Sequence, residues 1–229
     1  MKAIWRKIKL LLSHFFEINE GEVTSSVTGK MDIKATGGRY ILDAQTVNYA
    51  FGGLDIFFRL AFEKLNIPGP DTQKALILGF GVGNVAWLLE RANQPPGSII
   101  GVEKDQALKE PGRKFFQTHN LQRTTVYYED AYHHVMKSRE SYDLIIVDLF
   151  IEGKVPESAE REEFLLKLKE MLNSGGVLIF NRMAHDPSHE RESGVFFRYF
   201  KTIFPEAGLL PINDNLGIYF RNNKEGQKA

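Results

Sequence analysis

The chain has 229 residues, of which 43% are hydrophobic and 25% charged, and its 29 basic side chains equal its 29 acidic ones. These proportions are ordinary for a globular protein of one domain, or of one domain with a small appendage, and the balanced charge gives no sign of a nucleic-acid partner. The sequence contains no cysteine, which excludes disulfides, thiolate metal sites and a cysteine nucleophile. The lack of cysteine is compatible with a reducing cytoplasm, where we expect the protein to lie. No apolar run approaches the length of a membrane span, so we expect no stable membrane insertion.

Residues 1–20 predict an amphipathic N-terminal helix. Its basic side chains are Lys2, Arg6, Lys7 and Lys9, and no acid occurs among its first dozen residues. The apolar stretch is too short for the core of a secretory signal. The simpler interpretation is a surface helix that packs apolar side chains onto the domain, namely Trp5, Ile8, Leu12, Phe15 and Phe16. The alternative is a basic amphipathic helix that contacts a membrane or a partner.

Residues 21–53 predict a small antiparallel β-module. Short candidate strands lie at residues 23–27, 30–34 and 39–42, and the dipeptides Thr28-Gly29 and Gly37-Gly38 are turn signals between them. Apolar residues at helical spacing then predict a helix over residues 54–65, which Pro68 and Pro70 follow.

From residue 74 onward, apolar strands alternate with helical segments. The strands are expected at residues 75–79, 98–103, 124–128, 143–148 and 176–181, and the helices at 84–93, 105–119, 130–138, 158–173 and 195–204. This alternation predicts an α/β fold with a doubly wound, mostly parallel sheet of about seven strands. A hairpin within 209–221, turning at Asp214-Asn215, would add antiparallel strands at one edge. We expect residues 54–221 to form this main domain and residues 222–229 a flexible tail.

A glycine loop follows the first of these strands, with the sequence Gly-Phe-Gly-Val-Gly at residues 79–83. Glycine lets main-chain amides approach a ligand because no Cβ intervenes. Glu103, twenty residues after the loop, ends the next strand, where a carboxylate can accept hydrogen bonds from a ribose diol. Strand, loop, helix and acid together predict a nucleoside-binding domain. We expect the cofactor-binding residues to include Gly79, Phe80, Gly81, Gly83, Glu103 and Lys104.

Two further acids follow later strands of the predicted sheet. Asp130 and Ala131 come after the third strand, where the carboxylate can accept from the adenine amino group and the amide can donate to a ring nitrogen. Asp148 ends the fourth strand, near the expected position of a transferred group, and we predict that it binds the cofactor and acts catalytically on the acceptor. The structural alternative for each acid is a helix N-cap or a solvated loop end.

The order of these motifs resembles the class I S-adenosylmethionine-dependent methyltransferase fold, which is Rossmann-like. The motifs are residues 75–83, 101–105, 129–131 and 142–150. The N-terminal β-module and the closing hairpin are similar to the spermidine synthase-like branch, as is the segment Arg-Tyr-Ile-Leu-Asp at 39–43. The resemblance covers residues 23–221. It implies S-adenosylmethionine or its decarboxylated form as cofactor and a small-molecule acceptor, and it is compatible with a homodimer. Tyr40, Gln45 and Tyr49 are candidates to line the acceptor cleft from the β-module, with core packing as the alternative for the two tyrosines.

The sequence departs from this branch where polyamines bind. Val82 occupies the place of an aspartate in the glycine loop, and Ile151 replaces the second aspartate after the fourth strand. Residues 46–53 contain no acid. Polyamine ammonium groups need carboxylates to offset their lost hydration. We therefore expect a retained nucleoside site and a lost or rebuilt diamine site.

Three functional hypotheses follow. The first is an S-adenosylmethionine-dependent group transferase of methyltransferase type on a spermidine synthase-like scaffold. The second is an aminopropyltransferase that uses decarboxylated S-adenosylmethionine, and the third is a nucleoside-binding protein without catalysis. We expect no metal site, since the adjacent His133 and His134 cannot share a helix face. His185 and His189 are expected in a loop, with a general-base role as the alternative.

Overall fold

The computed structural model describes residues 2–25, 27, 29–37, 39–44, 53–151 and 154–223. Its first part is a helix, α1 (Lys2–Leu12), followed by a three-stranded antiparallel sheet of β1 (Ile18–Ser25), β2 (Gly29–Thr36) and β3 (Arg39–Ala44). This sheet is the predicted β-module. The division of the chain into separate domains stays a prediction.

The second part is a seven-stranded sheet covered by helices. Its elements are α2 (Gly53–Leu65), β4 (Lys74–Leu78), α3 (Asn84–Glu90), β5 (Ser98–Val102), α4 (Lys109–His119), β6 (Thr124–Tyr127), α5 (Ala131–Lys137), β7 (Tyr142–Val147), α6 (Glu157–Glu160), α7 (Glu162–Met171), β8 (Leu172–Met183), α8 (Pro187–Ile203), β9 (Gly208–Ile212) and β10 (Asn215–Arg221). A 3₁₀ turn, Gln106–Leu108, precedes α4.

The strand order in this sheet is β6-β5-β4-β7-β8-β10-β9. The five strands β6, β5, β4, β7 and β8 are mutually parallel. At one edge of the sheet, β10 pairs with β8 and β9 pairs with β10, and both pairs are antiparallel. The predicted doubly wound, mostly parallel fold is therefore confirmed. The chain proceeds from β4 to β5 in one direction and returns to place β7 on the other side of β4. Such a reversal opens a crevice at the carboxyl ends of β4 and β7, where ligands bind in folds of this kind.

The central strands are buried on both faces, which explains their nearly continuous apolar sequence. Alternate residues of β4 and β7 face opposite layers. Leu76 and Ile145 belong to the cluster that includes α7 and α8, whereas Ile77 and Ile146 pack with α2 and α3. Two packed layers thus fix the strand ends from which the loops of the crevice begin.

Several element boundaries differ from the sequence-based expectation. The helix predicted over residues 158–173 is divided into α6 and α7, and strand β8 begins at Leu172, inside that predicted helix. Helix α8 begins at Pro187, so His189 lies in its first turn and not in a loop. The cause is the Asp186 side chain, which accepts hydrogen bonds from the amides of Ser188 and His189 and forms an N-cap, while Pro187 occupies the first turn. In the closing hairpin, the turn consists of Asn213 and Asp214, because Asn213 adopts a positive φ of 50°.

The N-terminal helix also differs from the expectation, because it ends at Leu12 and leaves its apolar side chains uncovered. Trp5 is 63% exposed and Phe15 is 78% exposed; Ile8, Leu12 and Phe16 are exposed as well. The prediction that these side chains pack onto the domain is wrong for the described structure. None of the described helices combines the length and the hydropathy of a membrane span.

Candidate active site

The glycine loop at the end of β4 has the conformation that its glycines permit. Gly79, Gly81 and Gly83 all have positive φ angles, of 86°, 57° and 113°. The amides of Gly79 and Phe80 donate to the carbonyl of Val102, both at 3.0 Å, which holds the loop against the end of β5. A Cβ on Gly79 would collide with the backbone carbonyl of Asp148. Close approach of the β4 and β7 ends therefore requires glycine at position 79.

Glu103 connects this loop to the turn after β5. Its Oε2 accepts from the Gly81 amide at 2.8 Å, and its Oε1 accepts from the Asp105 amide at 2.8 Å. Burial raises the pKa of the Glu103 carboxyl above its usual value, and the backbone hydrogen bonds partly offset this effect. Each carboxylate oxygen has a second lone pair. The side chain can therefore hold the loop and still accept from two ligand hydroxyls.

Other residues of the loop contribute through backbone or packing. The Phe80 ring is buried and lies 5.8 Å from the Phe116 ring, centroid to centroid, so only the Phe80 main chain can face a ligand. Val82 is also buried, in a cluster with Met31, Leu108 and Phe115. At this position, where the sequence departs from the spermidine synthase-like pattern, an apolar contact joins the glycine loop to strand β2 of the β-module.

Asp130 caps helix α5 and also faces a basic neighbour. Its Oδ1 accepts from the amides of Tyr132 at 3.0 Å and His133 at 3.3 Å, which is the capping role foreseen as the structural alternative. Its Oδ2 lies 3.4 Å from Lys104 Nζ, so the cap does not use the whole carboxylate. Ala131 is buried at the first position of α5. Adenine contacts by Asp130 and Ala131 stay a prediction, as does the cofactor-binding role of Lys104.

Asp148 follows β7, on the other side of β4 from Glu103. Its amide donates to the Leu78 carbonyl at 2.8 Å, which fixes the backbone beside the glycine loop. Burial raises the pKa of the Asp148 carboxyl to about 7; a hydrogen bond from Asn181 opposes this rise, and the negative charge of Glu103 adds to it. A group with this pKa exchanges protons near neutral pH, as a general base must.

Asn181 is a site residue that the sequence analysis missed. It lies in β8, next to β7, and its Nδ2 donates to Asp148 Oδ1 at 2.9 Å. The Asn181 side chain is fully buried, and its Oδ1 has no hydrogen-bond partner. A buried carbonyl oxygen without a partner is costly, so it is a candidate acceptor for a ligand donor. The available signal was the polar residue that interrupts the apolar run of β8 near its carboxyl end.

Four histidines lie near acidic side chains. His134 is buried and its Nδ1 lies 2.7 Å from Glu129 Oε1, whereas His133 on the same helix is largely exposed. His189 Nδ1 lies 2.8 Å from Asp186 Oδ2, and hydrogen bonds from His189 lower the pKa of Asp186 to about 2. Asp186, His185 and His189 place ligand atoms within 4.8 Å of one another, the only such group among the described residues. Since Asp186 already caps α8, the absence of a metal site stays our prediction.

Of the three residues predicted to contact the acceptor, the structure describes one. Tyr40 lies in β3, where it is the backbone partner of Ala35 in β2, whereas Gln45 and Tyr49 lie outside the described residues. Ile151 follows Asp148 by three positions, forms a bridge with Lys154 and leaves its apolar side chain 36% exposed.

A cavity of about 600 Å³ lies beside the loop that follows Asp148, with Phe150, Val155, Phe196 and Tyr199 in its wall. Arg182, the buried cation of this wall, pairs with Glu160 and donates to Ser193 Oγ at 3.1 Å. Because Arg182 follows Asn181 directly in the strand, the two side chains point to opposite faces of the sheet. The cavity wall also contains the charged side chains of Lys154, Arg191 and Glu192, and the charge of its buried cation is neutralised by Glu160.

Comparison with known proteins decides the family. The profile of the spermine/spermidine synthase domain matches residues 65–209, which is more than half of the chain. The chain belongs to the spermine/spermidine synthase family. Over 144 residues it is 37% identical to polyamine aminopropyltransferase 2 of Aquifex aeolicus, covering 57% of this chain and 27% of that protein. It is 28% identical to the polyamine aminopropyltransferase of Vibrio vulnificus over 130 residues, covering 56% of this chain and 43% of that one.

Solved structures support the same fold. A spermidine synthase in complex with the transition-state analogue AdoDATO matches with a TM-score of 0.72 at 16% identity, covering 92% of this chain and 76% of that one. Human methyltransferase-like protein 13 in complex with SAH matches with a TM-score of 0.56 at 21% identity, covering 77% and 82% of the two chains. At these identities the likeness concerns the fold, which spermine/spermidine synthase family members share with methyltransferases.

Proposed function

We propose that this family member transfers an aminopropyl group from decarboxylated S-adenosylmethionine to an amine. The observation that carries the proposal is Asp148, a carboxyl group with a pKa of about 7 beside the glycine loop. An amine is protonated at neutral pH and must lose a proton before it can act as a nucleophile. The aminopropyltransferases among its relatives favour the aminopropyl group over the methyl group, which the sequence alone placed first.

The donor site would be built from the glycine loop and the acids around it. Glu103 would accept from the ribose hydroxyls through the lone pairs that its two backbone contacts leave free. The charges of Glu103 and Asp148 repel each other, and both carboxyl groups have a raised pKa. The charge of Glu103 thereby helps to keep the pKa of Asp148 near 7, so an acid of the donor site tunes the group that acts on the acceptor.

The reaction is a direct displacement. Asp148 takes a proton from the acceptor ammonium, and the nitrogen lone pair then forms a bond to the propyl carbon attached to sulfur. The carbon–sulfur bond breaks, and its electron pair stays on sulfur, which leaves a neutral thioether. Alignment of the two reactants and exclusion of water can supply a large part of the acceleration. Asn181 would keep the Asp148 carboxylate in position for the proton transfer.

The acceptor would be an amine with a single cationic end near Asp148. A diamine such as putrescine carries a second ammonium group that needs its own carboxylate. Val82 is buried among apolar side chains and Ile151 is apolar and exposed, so neither position provides one. An unpaired ammonium costs about 1.5–3 kcal/mol, or roughly ten- to a hundredfold in specificity.

Methyl transfer from S-adenosylmethionine is the second candidate. The observation that favours it is Val82, since the apolar cluster around this residue replaces the aspartate that aminopropyltransferases carry in the glycine loop. The general-base role of Asp148 would be the same for a methyl acceptor with a titratable amine.

The test pairs two donors with two acceptors. Purified protein is incubated with S-adenosylmethionine or its decarboxylated form and with putrescine or n-butylamine, which has the same carbon chain and one ammonium group. We expect an aminopropyl adduct of n-butylamine by mass spectrometry, and less product from putrescine. In the variant Ile151→Asp, the preference should shift towards putrescine by about tenfold or more.

Each outcome of this assay has a distinct meaning. Methylated product alone would replace the proposed donor, whereas spermidine formed efficiently at micromolar putrescine would contradict the proposed acceptor class. Donor binding by calorimetry without turnover of these amines or of a wider amine panel would indicate the non-catalytic alternative.

A further inference from the structure

Helix α1 turns its apolar face away from the protein. With 3.6 residues per turn, Trp5, Ile8, Leu11 and Leu12 lie on one face, and each of these side chains is exposed, Leu11 to 66%. Position 13 continues the opposite face, and Ser13 is buried at 2% exposure while its carbonyl accepts from the Gly37 amide at 2.7 Å. An ordinary surface helix has the reverse orientation, with its apolar face against the core.

The exposed apolar surface continues past the end of the helix. Phe15 and Phe16 follow directly and are 78% and 70% exposed. Together with the exposed side chains of α1 they form what we call the N-terminal apolar face, composed of Trp5, Ile8, Leu11, Leu12, Phe15 and Phe16. Six large apolar side chains that are all exposed within twelve residues of the chain are typical of an interaction surface.

The charges of this segment are all positive. Residues 1–16 contain four basic residues and no acid, namely Lys2, Arg6, Lys7 and Lys9. On the helix, position 7 adjoins Leu11 on one border of the apolar face, and positions 2 and 9 adjoin Trp5 on the other. The acid that follows, Glu17, pairs with Lys34 at 3.0 Å, so it already has a cationic partner in the β-module.

We infer that this helix binds the surface of an anionic phospholipid bilayer. A helix with an apolar face bordered by basic residues lies in the interface, where acyl chains receive the apolar side chains and anionic headgroups attract the basic ones. A second copy of this chain would bring the same positive charges together, and a nucleic acid would leave Trp5 and its neighbours uncovered. Charge complementarity therefore selects an anionic lipid surface. The binding is peripheral and adds to the proposed catalysis without depending on it.

The test is co-sedimentation of the full chain with vesicles. Vesicles of phosphatidylcholine and phosphatidylglycerol in equal parts should retain the protein, those of phosphatidylcholine alone should retain at least about tenfold less, and added salt should release it. The fluorescence emission of Trp5 should shift to shorter wavelength when the protein binds vesicles. The variant Trp5→Phe measures the part of the signal that comes from Trp87, the second tryptophan of the chain. The double variant Trp5→Ala/Leu11→Ala, and separately Lys7→Glu, should each weaken binding by about tenfold or more.

Matched substitutions elsewhere provide the controls. Leu166→Ala removes an exposed apolar side chain from α7, and Lys114→Glu reverses an exposed charge on α4, so both should leave vesicle binding unchanged. Circular dichroism verifies that each variant is folded. The inference is overturned if the folded wild type does not bind anionic vesicles, or if the double variant binds them as well as the wild type does. It is likewise overturned if sedimentation velocity shows a lipid-independent dimer that the double variant dissolves, since a second copy would then cover this face.

Discussion

The amide of Asn181 donates a 2.9 Å hydrogen bond to the carboxylate of Asp148, across the boundary between β8 and β7. A similar pair lies at the opposite end of the same two strands, where Asn173 Nδ2 donates to Asp143 Oδ1 at 2.7 Å. Only the first pair lies at the carboxyl ends, beside the glycine loop. The fold therefore contains both a candidate catalytic pair and an internal control for it.

We predict that Asn181→Ala moves the pH dependence of catalysis upward. The hydrogen bond from Asn181 lowers the pKa of Asp148, so its removal should raise that pKa further. At pH 7 we expect kcat/KM to fall by about ten- to a hundredfold, and to recover in part at higher pH, where Asp148 ionises. The pH profile of Asn173→Ala should match that of the wild type. A loss in Asn181→Ala that is equal at every pH would indicate a purely structural role.

We predict that Asp148→Asn reduces turnover by about 10²–10⁴-fold while leaving donor affinity nearly unchanged. In the wild type, proton transfer requires the ionised form of Asp148. The value of kcat/KM should therefore rise with pH until about pH 7, where the pKa of the Asp148 carboxyl lies. The variant should lose this rise and retain only the titration of the acceptor amine. Initial rates by mass spectrometry and donor binding by calorimetry supply the two measurements. A comparable loss of donor affinity would show that Asp148 belongs to the donor site.

The same substitution should change the pH dependence of stability. The pKa of Asp148 is about 7 in the folded protein and near 3.8 in the unfolded chain, so ionisation favours unfolding. The wild type should lose roughly 2–4 kcal/mol of unfolding free energy through this group as pH rises from about 4 to about 7. Asp148→Asn should remove that part of the decline and be relatively more stable at pH 8 than at pH 5. Urea denaturation at the two pH values measures the difference, and equal differences at both would contradict the raised pKa.

The sequence predicted the main sheet because its strands are buried and apolar on both faces. The strands predicted at 98–103 and 143–148, for example, match β5 and β7 to within one residue at each end. Asp148 and Glu103 could be located for the same reason, since polar residues that end such strands meet at one edge of the sheet. These predictions depended on local pattern and on a general rule for open sheets.

Side-chain contacts between neighbouring strands could not be predicted from the local sequence pattern. Asn181 interacts with a residue 33 positions away, and only the β7–β8 register brings the two side chains together. Apolar spacing places the start of α8 too late, because its cap, Asp186, and its first residue, Pro187, precede the apolar repeat. The outward orientation of α1 was missed because periodicity identifies an apolar face but does not say what covers it.

We predict that Glu103→Ala weakens donor binding by about 1.5–3 kcal/mol, since it removes a charged acceptor for the ribose. The structure adds a second cause, because the Gly81 and Asp105 amides also lose their partner. Glu103→Gln should bind the donor nearly as weakly as Glu103→Ala does, because the NH₂ of the glutamine amide cannot accept from a backbone N–H. Calorimetric titration with S-adenosylmethionine, its decarboxylated form and the thioether products measures the loss. Wild-type affinity in both variants would place the nucleoside elsewhere.

The last prediction separates two requirements on the glycine loop. Gly79 and Gly81 both have positive φ, which costs an alanine about 1–2 kcal/mol, but a Cβ at Gly81 meets no atom within 4 Å. At Gly79 the Cβ would collide with the Asp148 carbonyl, and overpacking adds about 1–3 kcal/mol. Gly79→Ala should therefore lower the unfolding free energy by roughly 2–5 kcal/mol, and Gly81→Ala by only about 1–2 kcal/mol. Because the collision pushes on the backbone of Asp148, Gly79→Ala should also reduce turnover at saturating donor. Chemical denaturation and rates at saturation test both statements, and equal destabilisation by the two alanines would mean that the β4 and β7 ends are not in close contact.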